Sequence, residues 1–194
     1  MIRAILFDFD GTLAINRSDT QETGLRWLRR LNAPATHHRA LLESYPRFER
    51  LPGPITLASA LEGTYRHCHL IPPSDLTEIA TELIAEYTAQ MRLLPHTLDM
   101  LRDFADFPKA IVTNGPSDVQ RAAIKAVDLE EFFQSIVVSG DADVGVRKPS
   151  SRPFLIACER LGVAPAESLM IGNSLPKDIE GARAAGLHAL YIPS

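Results

Sequence analysis

Ala4-Ile5-Leu6-Phe7-Asp8-Phe9-Asp10-Gly11-Thr12-Leu13 is the stretch whose reading decides the fold. The apolar run Ala4 to Phe7 reads as a buried strand, and Gly11 marks where the chain must turn. Residues two apart share a face only while a strand lasts, so the turn frees Asp10 to point where Asp8 points. Two carboxylates converging at the C-terminal edge of a strand repel each other unless a cation or a shared proton compensates. That is the chemistry of a magnesium site with a nucleophile and a proton shuttle. The plainer alternative is an acidic strand end running into an Asp-Gly turn.

Working outward, four more short apolar runs follow: Ala110 to Val112, Ile136 to Val138, Leu169 to Ile171 and Ala189 to Ile192. Helical stretches separate these later runs, which is the rhythm of an α/β fold with a doubly wound parallel sheet. Ser117 to Val127 opens with Ser117 and Gln120 in capping-box spacing. Phe154 to Leu161 ends at Gly162, and Asp178 to Ala185 ends at Gly186, both suitable as helix-terminating glycines. Between the first and second strands the rhythm breaks. There the pattern predicts proline-punctuated helices at about 18–31, 34–45, 54–67 and 73–90. The last carries Leu76, Ile79, Ala80, Leu83, Ile84 and Tyr87 along one face. The expected organisation is a core of residues 1–15 and 92–194, with residues 16–91 inserted as a helical cap over the C-terminal edge of the sheet. There it could exclude water from a site at Asp8 and Asp10; a helical crossover thickened by an insertion is the other account.

Bulk properties narrow the function classes. At 194 residues one substantial core can form, with a smaller appended module. Twenty basic against twenty-four acidic side chains give a net charge of −4, so no basic surface argues for nucleic acid. Two isolated cysteines, Cys68 and Cys158, make no disulfide framework and fit a reducing compartment. The flanking His67 and His69 read as structural. Asp8 interrupts the first apolar run too early for a signal peptide, and no stretch reaches membrane-spanning length. A cytoplasmic protein, monomeric or a homodimer, with neither a membrane nor a nucleic acid as partner, is expected.

Three later segments place phosphate- or metal-compatible groups at strand ends or helix starts. They are Thr113-Asn114-Gly115, Lys148-Pro149 with Ser150 or Ser151 able to cap the helix behind it, and Gly172-Asn173-Ser174-Leu175-Pro176-Lys177-Asp178. Singly each is weak, since an Asp at a helix start is usually a cap. Together they lie in order at one sheet edge, where open α/β sheets bind ligands.

These four segments resemble the four ordered motifs of the haloacid dehalogenase superfamily, phosphatase type, over essentially the whole chain. The resemblance implies strand order 5-4-1-2-3 and a cap inserted after the first motif. It implies Asp8 as the nucleophile that becomes an aspartyl phosphate, and Asp10 as general acid and then base. It also implies catalytic and substrate-binding roles for Thr113 and Lys148, with Asn114 holding phosphoryl oxygens beside Thr113. Mg²⁺ would be bound by Asp8, the Asp10 backbone carbonyl and the fourth motif, Asn173 or Asp178. One departure is plain: the family motif begins Gly-Asp where this chain has Gly172-Asn173, one carboxylate fewer at the metal. The expected substrate is a small phosphorylated metabolite of the sugar-phosphate or nucleotide class, with Phe9, Trp27 and cap arginines (Arg26, Arg29, Arg30, Arg47, Arg50) as specificity candidates. The dehalogenase branch is disfavoured because it does not keep the second aspartate. A phosphomutase, or a catalytically silent binder of a phosphorylated ligand, stays as an alternative.

Overall fold

The computed structural model describes residues 1–193. Its first strand, β1 (Ala4–Phe7), is buried along its whole length, which is why the run carries no alternation: a strand covered on both faces needs apolar residues throughout. Ile5 and Phe7 point into a core shared with Leu101, Ala123 and Ile124. Leu6 points the other way, into a core with Phe154, Ala157, Cys158 and Ala182.

After β1 the chain makes a short strand, β2 (Ala14–Asn16), and then four helices: α1 (Thr20–Arg30), α2 (His38–Phe48), α3 (Leu57–His67) and α4 (Leu76–Thr88). It returns as β3 (Met91–Leu93), which pairs antiparallel with β2, Ala14 opposite Leu93 and Asn16 opposite Met91. The two strands form a stem at the root of the insert that the apolar pattern did not predict. Helix α5 (Thr97–Asp103) leads to β4 (Lys109–Thr113), α6 (Ser117–Ala126), β5 (Ser135–Val138), α7 (Ser151–Leu161) and β6 (Ser168–Gly172). A π-helical turn (Leu175–Glu180), α8 (Gly181–Ala184) and β7 (His188–Tyr191) complete the chain.

The large sheet runs β5-β4-β1-β6-β7, with every neighbouring pair parallel. Counted among the five core strands this is the expected order 5-4-1-2-3. The first crossover from β1 goes to β4 on one side, and a later one brings β6 to the other. The crevice at the C-terminal end of β1 is therefore a topological switch point. Phe7 pairs with Ile111 and with Ile171, so Asp8, Thr113 and Gly172 emerge together at that edge.

The insert has its own apolar centre, built from Leu28, Leu31, Leu41, Leu57, Leu61, Tyr65 and Leu83, with Val119 of α6 contributed from the core. It meets the core a second time through its middle segment. Gly53 N–H donates to the Gly145 carbonyl at 2.8 Å, Ile55 N–H to Gly140 at 3.0 Å, and Ser117 N–H to Ile55 at 2.8 Å. Leu57 N–H donates to the Asp118 carboxylate at 2.9 Å. A Cβ at Gly140 would lie 2.7 Å from the Ile55 and Gly115 carbonyl oxygens, so only glycine permits that approach.

Several local readings change. Helix α2 runs to Phe48 with Pro46 inside its last turns, where the pattern ended it at Tyr45. Ser117 and Gln120 form no capping box; both side chains are drawn to tertiary partners instead. Ser150 does cap α7, accepting from Arg152 N–H, and Gly162 ends it at φ 66°. No helix among the described residues is long and apolar enough to cross a membrane.

Candidate active site

Asp8 leaves the sheet as the first residue past β1, its N–H still donating to the Ile171 carbonyl at 2.9 Å. Gly11 then turns the chain at φ 79°, a backbone region that costs a side chain dearly. The turn folds Thr12 back so that its hydroxyl donates to Asp8 Oδ2 at 3.1 Å. The other oxygen, Oδ1, accepts from Lys148 Nζ at 2.7 Å. Lys148 is 4% exposed and also donates to the Val112 carbonyl at 2.6 Å. The same ammonium lies 2.7 Å from Asp178 Oδ1. The lysine thus bridges the two carboxylates. Burial alone would lower the Lys148 pKa, but Asp8 and Asp178 reverse the effect and hold it raised.

Asp178 is 1% exposed. It stands in the π-helical turn rather than at the start of a regular helix, and its Oδ2 accepts from Ser174 N–H at 2.9 Å. Gly172 makes room for it, since a Cβ there would sit 2.6 Å from the carboxylate. Burial raises the Asp178 pKa, and the Asp8 charge adds to this against the pull of Lys148. Asn173 rests over the first motif: a Cβ on Gly11 would come within 2.2 Å of its Nδ2.

Asp10 turns its carboxylate to Gln120, whose Nε2 donates to Oδ2 at 3.0 Å. Gln120 Oε1 in turn accepts from the Thr113 hydroxyl at 3.0 Å. Burial first, and the Asp8 charge second, push the Asp10 pKa up to about 6, against the lowering effects of Gln120 and Lys148. A carboxyl at that value both gives and takes a proton near neutrality. Asn114 exchanges two hydrogen bonds with the Lys148 backbone, Nδ2 to the carbonyl at 3.0 Å and Oδ1 from the N–H at 2.8 Å. It thereby fixes where the lysine stands.

The sequence-expected residues Asp8, Asp10, Thr113, Asn114, Lys148, Asn173 and Asp178 thus gather at one sheet edge. Gln120 was missed as a site residue: its position one turn into α6 looked like capping chemistry, yet it ties Asp10 to Thr113. Asp141 was missed too. It follows β5 and accepts from Ser117 and from Arg121 Nη2 at 2.7 Å, bracing α6 from below. Phe9 was expected to contact substrate; it is fully buried in the core beside Leu13 and Met91. Of the insert candidates, Arg30 is occupied by Glu82 and Glu86 on the surface and Arg50 by Glu49. Trp27 lines the cavity described next.

A cavity of about 480 Å³ opens between the insert and the sheet edge, with Asp10, Asn114 and Gln120 in its floor. No cluster of three or more His, Cys, Asp and Glu side chains suited to a metal exists among the described residues. What converges is two carboxylates, Asp8 and Asp178, and the Asn173 amide. These are oxygen donors of the kind a hard divalent cation takes, and the charge of both carboxylates is met here by Lys148.

The haloacid dehalogenase-like hydrolase family matches residues 2–186, and the chain belongs to it. A stretch of 83 residues, 43% of this chain, is 40% identical to the phosphoserine phosphatase of Thermus thermophilus, but spans only 32% of that protein. The glyceraldehyde 3-phosphate phosphatase of Methanopyrus kandleri is 31% identical, over 99% of this chain and 84% of the relative. The crystal structure of a HAD phosphatase from Thermococcus onnurineus superposes with a TM-score of 0.70 at 25% identity, covering 98% of this chain and 86% of that one.

Proposed function

We propose that the chain is a magnesium-dependent phosphomonoester hydrolase that works through an aspartyl phosphate on Asp8. The observation that carries this is the pairing of two carboxylates in different surroundings. Asp8 is held by a buried ammonium 2.7 Å away, while Asp10, two residues on, has its pKa raised to about 6. In this reading an Asp8 oxygen attacks phosphorus and the ester C–O–P bond breaks on the phosphorus side. Protonated Asp10 gives its proton to the departing alkoxide. Asp10, now a carboxylate, then takes a proton from the water that attacks the phosphorus of the acyl phosphate, which frees phosphate and restores Asp8.

Lys148 offsets charge on Asp8 and on the phosphoryl oxygens. The Thr113 hydroxyl is placed to turn from Gln120 to a phosphoryl oxygen, with Asn114 beside it holding Lys148 in register. Magnesium, when bound, supplies the remaining positive charge for the phosphoryl group; Asp8, the Asp10 carbonyl, Asn173 and Asp178 would hold it. Residues 16–91 act as the cap that keeps bulk water from the phosphoenzyme. The phosphatase names of the relatives agree with this assignment.

The test is phosphate release from p-nitrophenyl phosphate and acetyl phosphate in Mg²⁺, with and without chelator, for the natural chain and Asp8→Asn. Turnover that requires Mg²⁺ and vanishes in the variant is expected, together with a beryllium fluoride adduct on Asp8. Undiminished turnover by pure Asp8→Asn would overturn the covalent route.

A further inference from the structure

The cavity above Asp10 is far more apolar than a site for a small polar ester requires. Its walls are Leu28, Leu31, Leu41, Leu42 and Leu61, with Trp27 and Tyr65 among them. Tyr87, Tyr45, Glu49 and Arg147 line the same cavity as Asp10. Arg147 has no carboxylate within 4.0 Å among the described residues, its Nη1 going to the Glu49 carbonyl at 3.0 Å. The buried indole N–H of Trp27 has no acceptor, and its ring stands edge-on to Tyr87 with centroids 6.5 Å apart. A volume of about 480 Å³ lies within the ~300–1,000 Å³ that holds drug-sized ligands.

We propose, resting on the phosphatase reading above, that this cavity takes the leaving alcohol, and that the alcohol is amphipathic. It is polar near the ester, where Tyr87 stands with the unpartnered Trp27 N–H beside it, and apolar over the equivalent of six or more carbons against the leucine walls. Continuity fixes the occupant: Asp10, the group that protonates the departing oxygen, is itself in the cavity floor, so the atoms bonded to that oxygen must extend into the space above. A two- or three-carbon polar alcohol would leave the leucine wall dry and unfilled. An apolar body removes that surface from water.

Trp27 is the chain's only tryptophan, so occupancy can be read without turnover. Methyl-, butyl-, hexyl- and octylphosphonate titrated into the Mg²⁺-loaded protein should shift or quench its emission. Kd should fall roughly threefold per methylene, on the order of 100-fold from methyl to hexyl. The corresponding alkyl phosphates should show kcat/KM rising in parallel. Val119→Phe, which places bulk on the α6 wall, should flatten both trends, with circular dichroism and a thermal melt confirming that it folds. Trp27→Phe, followed by calorimetry, should keep the chain-length trend and weaken only ligands that carry an acceptor.

A flat Kd across the series, with acetyl phosphate still hydrolysed, would overturn the amphipathic leaving group and leave the phosphatase intact. Chain-length-dependent binding with no hydrolysis of any ester would overturn the phosphatase and keep the cavity as an apolar ligand site.

Discussion

Asp10→Asn should abolish efficient turnover and yet make the protein more stable. The Asp10 pKa is raised from 3.8 to about 6, burial first and the Asp8 charge second. At about 1.4 kcal/mol per unit, two units amount to roughly 3 kcal/mol of destabilisation carried by the ionised carboxylate. An acid whose folded pKa lies above its unfolded one imposes that penalty in full above the folded pKa. The penalty fades as pH falls and is gone below the unfolded pKa. Asparagine keeps the shape and still accepts from Gln120 Nε2, but never ionises. For a chain of this size ~1 kcal/mol moves the melting midpoint by ~2–4 °C. The variant should therefore melt roughly 5–10 °C higher at pH 8, and the difference should close toward pH 4. The melts belong in chelator, because a bound cation would relieve the same charge. An equal midpoint at pH 8, or a difference that does not change with pH, would refute an electrostatic cost at Asp10.

Three further outcomes follow from the same geometry. Lys148→Met leaves Asp8 and Asp178 buried without their shared cation, a loss of about 3–5 kcal/mol; urea unfolding should show it, and Mg²⁺ should restore part, so an unchanged midpoint would contradict the charge balance drawn here. Asn173→Asp restores a carboxylate to the fourth motif, and Mg²⁺-dependent activity or calorimetry should show magnesium bound roughly tenfold tighter; no change would mean that Asp178 alone carries that contact. Gly11→Ala meets both a positive φ and the Asn173 amide 2.2 Å away, whereas Gly53→Ala meets only a positive φ. Denaturant melts should show the first costing more, by about 1–3 kcal/mol.

What the sequence made legible follows from what dictates each feature locally. Four of the five core strands are apolar runs because both faces are covered, so they can be found without a partner; the edge strand β7 is an apolar run that stays largely exposed. The four motifs are legible because each sits where a strand ends. The stem strands β2 and β3 are three residues each, half exposed, and exist because they pair across the insert; nothing within either run announces that. Ser117 and Gln120 show the opposite failure. Their spacing fits a local cap, but Asp141 and Asp10 offer charged partners that a local pattern cannot see. Phe9 sits between two site aspartates in sequence, yet the turn that sends them to the crevice sends it into the core. The cavity walls come from α1, α2, α3, α4 and α6 together, so their chemistry emerges only once those helices pack.

The second attachment of the insert decides which part of it can move. A module joined to its core by a stem alone swings about that stem as one body. Here such a swing would have to break the backbone bonds of Gly53, Ile55 and Ser117, the Leu57–Asp118 bond and the Arg147–Glu49 bond. At about 0.5–1.5 kcal/mol each, they sum to several kcal/mol. Residues 17–48, by contrast, make no hydrogen bond to the α/β core among the described residues. An opening that spares those bonds would therefore move α1 away from α4, to which Arg30 ties it, and α2 away from α3, on which it packs. Trp27, Leu41 and Tyr45 of those two helices also wall the cavity, so on the proposed reading a molecule that fills it would hold the door shut.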